Sequence, residues 1–394
     1  MPRRPRPRRI RSIARRVGAT RSPTMCHADP PASSPIPADP AALRARFTAG
    51  AIQSFTLRVD LLSELDGRPA SVEVNASRCG RPEAPCLVVL GGISACGRAV
   101  EWWPEQVGPG RPIDTDRHAV LGIDYLDRLP AGWRGLSPGD QANALAAVLD
   151  RLAIRRVDAF VGASYGGAVA LAFAERYPER VGRLLVLSMA DRPSPMASAL
   201  RAIQRECLRL GVEHGFEAEA VALARALAVT TYRSEAEFAE RFSGAPRHQD
   251  GRWRWPVEDY LQAQGARFAE RFDAERYRVL SESLDLHRVD RQRLSTPLHA
   301  LAVVEDRLVP CGDIQALAAA VGGECVCIDS PFGHDAFLKE GQRVAAWLSD
   351  RLARVAPDPV RPQASSEAPR GRSRVAGCPP ADRLPDRPRM PVVL

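Results

Sequence analysis

Between residues 46 and 353, short apolar runs alternate with stretches of helical periodicity. The runs at 55–62, 70–75, 86–90, 119–124, 159–161 and 184–187 predict strands. The last four are continuously apolar, as strands of a parallel sheet are when helices cover both faces. Such alternation builds a doubly wound, mostly parallel α/β sheet. From 192 to 290 the pattern turns helical without strands, including 197–210 and 257–272, and strand-like runs resume at 298–304 and 325–328. A helical block that interrupts a strand series predicts an inserted lid over the C-terminal edge of the sheet, where ligands of α/β sheets bind. The expected organisation is a core over 46–191, a lid over 192–290 and the rest of the core over 291–353. Arg- and Pro-rich tails at 1–45 and 354–394 lack the apolar surface to fold, and Met25 within the first is an alternative start.

The net charge of +8 at first suggests a nucleic-acid partner, but its location excludes one. Residues 1–25 carry nine Arg and no acid, and 355–394 carry seven Arg against four acids, which leaves the body net acidic. Lys339 is the only lysine in the chain. The nine cysteines form no CxxC pair, and no His-rich spacing completes a zinc site, so no metal is expected and the thiols read as reduced. The basic start is followed by no apolar stretch of the kind a signal peptide needs. No run of about 18 apolar residues offers a membrane span.

The strongest local chemical signal is Asp158-Ala-Phe-Val-Gly162-Ala-Ser164-Tyr-Gly166-Gly167, an apolar strand running through Gly-x-Ser-x-Gly into a helix of small residues. Glycines two positions either side let the serine sit on a strained strand-to-helix turn with its hydroxyl above the sheet. A serine nucleophile needs a histidine to take its proton, and that histidine needs an acid to fix its tautomer. On this kind of turn the acid and then the histidine follow in the chain. His334, in Gly333-His334-Asp335 after the last strand run, fits. His27, His118, His214, His248, His287 and His299 lie in the tail, ahead of the serine, in the lid or in a strand. Asp306, at the end of the run 298–304, is the candidate acid, with Glu305 its near competitor. The amides of Tyr165 and of Ile93, in Leu90-Gly-Gly-Ile93, are the expected oxyanion hole.

Over residues 50–350 the chain resembles the homoserine O-acyltransferase family of α/β-hydrolase-fold enzymes. The likeness is carried by Val107-Gly-Pro-Gly-Arg-Pro-Ile-Asp-Thr-Asp116, Thr231-Tyr-Arg233-Ser, Val257-Glu-Asp-Tyr-Leu, Arg271-Phe-Asp-Ala and Gly333-His-Asp-Ala-Phe-Leu338. The resemblance implies a cytoplasmic, dimeric enzyme with no bound cofactor that moves an acyl group from acyl-CoA to an amino-acid hydroxyl in methionine synthesis. It also implies that Arg233 takes the amino acid's carboxylate, a planar fork on a planar anion, and Asp335 its ammonium. Two loops depart from the family pattern, Gly91-Gly-Ile-Ser-Ala-Cys-Gly97 and Tyr125-Leu-Asp-Arg-Leu-Pro130.

The family pattern also bears on the acyl group. Acetyl-transferring relatives resemble Ser198-Ala-Leu-Arg201-Ala-Ile-Gln-Arg205 but tend to carry Asn at the position of Arg201, and an unpaired guanidinium facing the site would be costly. A succinyl group ends in a carboxylate that would pair with it. The expectation is therefore succinyl transfer from succinyl-CoA to L-homoserine. Acetyl transfer, with Arg201 pointing to solvent or contacting a CoA phosphate, transfer to serine, and plain esterase activity are the alternatives.

Overall fold

The structure is a computed structural model, described here for residues 50–354. The ends expected as tails, together with Met25, lie outside those residues apart from Arg354. In chain order the core opens with β1 (Gln53–Leu62), β2 (Pro69–Gly80), β3 (Cys86–Leu90), α1 (Ala99–Trp102), β4 (Val107–Gly108), β5 (Ile113–Asp114), β6 (Ala119–Ile123), α2 (Pro138–Arg151), β7 (Ala159–Ala163), α3 (Tyr165–Arg176) and β8 (Leu184–Leu187). There follow α4 (Pro195–His214), α5 (Glu217–Tyr232), α6 (Glu235–Phe242), β9 (Arg247–Gln249), β10 (Arg252–Arg254), α7 (Pro256–Ala269) and α8 (Ala274–Asp285). The chain returns to the sheet with β11 (Leu298–Val303), α9 (Cys311–Ala320), β12 (Glu324–Ile328), α10 (Ala336–Lys339) and α11 (Gly341–Ala353).

Eight strands form one sheet in the order β1-β2-β6-β3-β7-β8-β11-β12. From β6 to β12 all neighbours are parallel, and β2 is antiparallel to both of its neighbours. Every residue of β3, β7 and β8 is buried, which explains their unbroken apolar sequence. Alternation along β3 splits the core: Val88 and Leu90 pack with Leu145 and Phe173, while Leu87 and Val89 pack with Trp102, Trp103 and Trp347. Register pairs Val89 with Val161 and Leu187 with Leu301. The C-terminal ends of β3, β7, β11 and β12 thus stand at one edge. The order reverses between β3 and β7, since β3 leads to β6 on one side while β6 leads back past it to β7 on the other, which makes this the switch point of the doubly wound sheet.

The helical block between β8 and β11 departs from its sequence pattern in one place, the hairpin β9–β10. Asp250 and Gly251 both adopt positive φ, 51° and 77°, as a tight two-residue hairpin turn requires. Its strand residues are polar apart from Trp253 and nearly all exposed, so no apolar alternation marks them. A second departure lies at Cys96, which is disulfide-bonded, whereas Cys79, Cys86, Cys207, Cys311, Cys325 and Cys327 are free thiols as expected.

Candidate active site

Ser164 sits between β7 and α3 at φ 52° and ψ −120°, a strained conformation for a residue with a side chain. The turn closes only because its neighbours lack side chains. A Cβ on Gly166 would lie 2.2 Å from the Leu90 carbonyl oxygen, and one on Gly162 would lie 2.4 Å from the Gly166 oxygen. Ser164 Oγ lies 2.8 Å from His334 Nε2, and His334 Nδ1 lies 2.7 Å from Asp306 Oδ2. Since a carboxylate accepts only, Nδ1 carries the proton and Nε2 presents its lone pair to the serine hydroxyl. The Asp306 side chain is 0% exposed, and its other oxygen accepts the amides of Leu308 and Val309, both at 2.9 Å. Glu305 is engaged elsewhere, accepting the Ser330 amide at 2.7 Å.

His334 is delivered by the turn after β12. Gly333, at φ 50°, lets that turn pack within 3.0 to 3.2 Å of the Tyr232 and Glu305 carbonyls, where a Cβ would stand. Ser330 Oγ donates to Glu340 at 2.7 Å and fastens the far side of the turn. Burial disfavours the charged imidazole, but the charge and hydrogen bond of Asp306, with Asp335 adding to them, outweigh it and hold His334 above its ordinary value of 6.5.

The loop after β3 is tied to the start of α3. Gly91 O accepts the Gly166 amide at 2.8 Å and the Tyr125 hydroxyl at 2.6 Å, and the Tyr125 ring meets the Tyr165 ring edge-on at 4.6 Å. Ile93 lines the cavity in front of Ser164. The Tyr165 amide is the first of α3 and has no acceptor within its own helix. Tyr125, noted in the sequence only as part of a loop that departs from the family pattern, thereby braces both sides of this opening.

The cavity above Ser164 has a volume of about 220 Å³, with the helical insertion forming one wall. Four cations line it, Arg201, Arg225, Arg233 and Lys339, against a single carboxylate, Asp335. Arg233 Nε donates to Asp335 Oδ2 at 3.0 Å and its Nη1 to Glu237 Oε1 at 3.0 Å, so this guanidinium already holds two carboxylates. Arg225, which the sequence pattern did not single out, has no carboxylate partner among the described residues. It donates to the Tyr232 hydroxyl at 3.2 Å and lies over the rings of Tyr232 and Phe268 at 5.0 and 4.6 Å.

Arg201 corrects an expectation. It reaches the cavity, but its guanidinium is not unpaired: Nε lies 2.9 Å and Nη2 2.5 Å from Asp285 Oδ1, and Arg205 Nη1 donates to Oδ2 of the same carboxylate at 2.7 Å. Asp285 is 84 residues away in the sequence, on α8, and offsets the charge that was expected to require a ligand. Arg201 Nη1 makes no hydrogen bond to any described residue.

A doubly wound sheet with a strained serine between strand and helix, and its histidine after the last strand, defines the α/β-hydrolase fold. The family described as alpha/beta hydrolase fold matches residues 135–341. A homoserine O-succinyltransferase from Xanthomonas campestris pv. campestris is 42% identical over 283 residues, covering 69% of this chain and 77% of that protein. A homoserine O-acetyltransferase from Trichlorobacter lovleyi is 31% identical over 297 residues, covering 65% and 81%. The crystal structure of homoserine O-acetyltransferase from Bacillus anthracis superposes with a TM-score of 0.71 at 15% identity, covering 78% of this chain and 99% of that one, a likeness of fold. The chain belongs to the homoserine O-acyltransferase family. Among the described residues no helix is long and apolar enough to cross a membrane.

Proposed function

We propose that this enzyme transfers a succinyl group from succinyl-CoA to the hydroxyl of L-homoserine through an ester on Ser164. The observation that carries the chemistry is the hydrogen-bonded series Ser164–His334–Asp306 opening into a cavity rich in cations. His334 Nε2 takes the Ser164 proton as Oγ attacks the thioester carbonyl. The amides of Ile93 and Tyr165 receive the oxyanion. Collapse breaks the C–S bond, His334 protonates the departing CoA sulfur, and Ser164 retains the acyl group. The homoserine hydroxyl then gives its proton to His334 and attacks the ester, and Ser164 Oγ leaves with that proton. Asp306 keeps the imidazole in the tautomer both halves need.

Succinyl as the acyl group is supported by the 42% identical relative, itself a homoserine O-succinyltransferase, and by Arg201 in the cavity lining. For the acceptor, Asp335 is the carboxylate available to an ammonium. The carboxylate assigned to Arg233 fits Arg225 better, because Arg233 is held by Asp335 and Glu237 whereas Arg225 has no anionic partner. Arg233 then positions Asp335. Such contacts let a hydroxyl outcompete water of about 55 M, since positioned groups reach effective molarities of about 10⁵ M or more. The helical insertion serves as the lid that holds acceptor and donor together. A cytoplasmic homodimer belongs to the same reading, supported by the family resemblance and checked by light scattering. Mass spectrometry of products from homoserine or serine, each with succinyl-CoA or acetyl-CoA, tests the proposal: O-succinylhomoserine should dominate. O-acetylhomoserine, O-succinylserine or free succinate as the main product would replace it with the corresponding alternative.

A further inference from the structure

Among the 55 lysines and arginines of the chain there is one lysine, and it lines this cavity. Lys339 is the last residue of α10, the short helix that follows directly on the turn that delivers His334 and Asp335. Among the described residues its ammonium has no carboxylate oxygen within 4.0 Å and no hydrogen-bond partner. Of the neighbouring cations, Arg201 is paired with Asp285 and Arg233 with Asp335 and Glu237, while Arg225, without a carboxylate among the described residues, is hydrogen-bonded to the Tyr232 hydroxyl and lies over the rings of Tyr232 and Phe268. Burial, with the nearby charge of Arg233, lowers the Lys339 pKa from its ordinary value, as expected of an ammonium waiting for a counter-charge. Three donors partly removed from water without an acceptor are unfavourable unless a ligand supplies one.

The acyl-transfer reading proposed above, on which this inference rests, assigns the acceptor's two charges to Arg225 and Asp335. The remaining negative charge entering the cavity belongs to the acyl donor, as the free carboxylate of the acyl chain and the phosphates of the CoA moiety. We propose that Lys339 is a binding residue for the acyl donor, its ammonium pairing with an anionic oxygen of that molecule. Unlike a guanidinium, an ammonium is a compact point charge with no planar preference, and suits either oxygen.

The test compares wild type, Lys339→Met and Lys339→Arg with succinyl-CoA, acetyl-CoA and the succinyl thioester of N-acetylcysteamine, which keeps the acyl carboxylate but has no phosphate. Wild-type formation of acyl-homoserine is scored first. Without it the underlying reading fails and takes this inference with it. With it, Lys339→Met should raise the donor KM by about 10-fold or more with kcat nearly unchanged, as loss of a charged contact predicts. Lys339→Arg should restore most of the affinity, and the homoserine KM should stay put. A loss on both succinyl donors that spares acetyl-CoA assigns the acyl carboxylate, and a loss on both CoA donors that spares the truncated thioester assigns a phosphate. Unchanged donor KM values, equal losses on all three donors, or a change confined to the homoserine KM would overturn the inference. A second readout needs no variant: reductive methylation of the lone ε-amine, followed by peptide mass spectrometry, should be slowed by CoA or by succinate and unaffected by homoserine alone. Protection by neither probe counts against Lys339 as well.

Discussion

Replacing Asp306 with Asn tests the logic of the site on a single atom. Asp306 Oδ1 accepts two backbone amides while Oδ2 accepts from His334 Nδ1. An asparagine has one oxygen for these two duties. Keeping that oxygen on the amides of Leu308 and Val309 turns the NH₂ toward His334 and forces Nδ1 to accept. Turning it toward His334 instead sets an NH₂ against two N–H groups in a fully buried place, which is the costlier arrangement. The imidazole proton therefore moves to Nε2, where it faces the Ser164 hydroxyl that it should deprotonate. The same substitution in another Ser-His-Asp site lowers kcat by about 10⁴-fold, or about 5.5 kcal/mol. The pH profile should move as well. In the native protein His334 titrates above 6.5, so the base form, and with it kcat/KM, rises only as pH passes above that value. With the carboxylate charge gone, burial lowers the imidazole pKa, and the acid limb of the residual activity should shift to lower pH. Release of the CoA thiol, followed across pH for wild type and Asp306→Asn of matched thermal stability, measures both effects. A loss below about 10-fold, or an acid limb that stays in place, would refute the role given to Asp306.

Three further perturbations read other parts of the account. Arg225→Met should raise the homoserine KM by about 10- to 100-fold and let water compete for the acyl group, as loss of a charge-assisted contact predicts; unchanged acceptor kinetics would return the carboxylate to Arg233. Arg201→Asn should lower kcat/KM for succinyl-CoA by about 10-fold while sparing acetyl-CoA, and an unaltered ratio of the two would remove Arg201 from acyl selection. His287 is buried, donates from Nε2 to the Ala190 carbonyl oxygen at 2.8 Å, and is held by burial at a pKa of about 4. The unfolded chain protonates near the ordinary 6.5, so it binds the extra proton in this window, and stability should fall by roughly 3 kcal/mol as pH drops from 6.5 toward 4. Denaturant unfolding of His287→Gln should lack that component, and an identical pH slope in wild type and variant would contradict it.

The elements legible in the sequence are those whose environment leaves a one-dimensional trace. Strands β3, β7 and β8 are covered on both faces and read as unbroken apolar runs. The Ser164 turn writes its steric demand into Gly162 and Gly166, and chain order then narrows the histidine and the acid to His334 and Asp306. The polar half of β2 beyond Asn75 was hidden because Ser77 and Arg78 are buried with polar partners, Ser77 on the Gly97 carbonyl and Arg78 on that of Pro82. The hairpin β9–β10 left only its Asp250-Gly251 turn as a signal, since solvent covers both of its faces. Ion pairing was the least legible. Arg201 and Arg205 stand four apart on α4 and so share one face, but no local rule links them to Asp285, or links Arg233 to Asp335, 102 residues further on. Which cation remains for a ligand is decided by those distant carboxylates.

The proposed mechanism turns on Ser164 as the residue that carries the acyl group. Brief incubation of the wild type with succinyl-CoA in the absence of any amino acid, followed by acid quench, digestion and peptide mass spectrometry, measures it directly. A succinyl adduct should appear on Ser164 and disappear on addition of L-homoserine as O-succinylhomoserine forms, with no adduct in Ser164→Ala. Turnover without a covalent adduct in the wild type, an adduct on another residue, or substantial transfer by the alanine variant would contradict it.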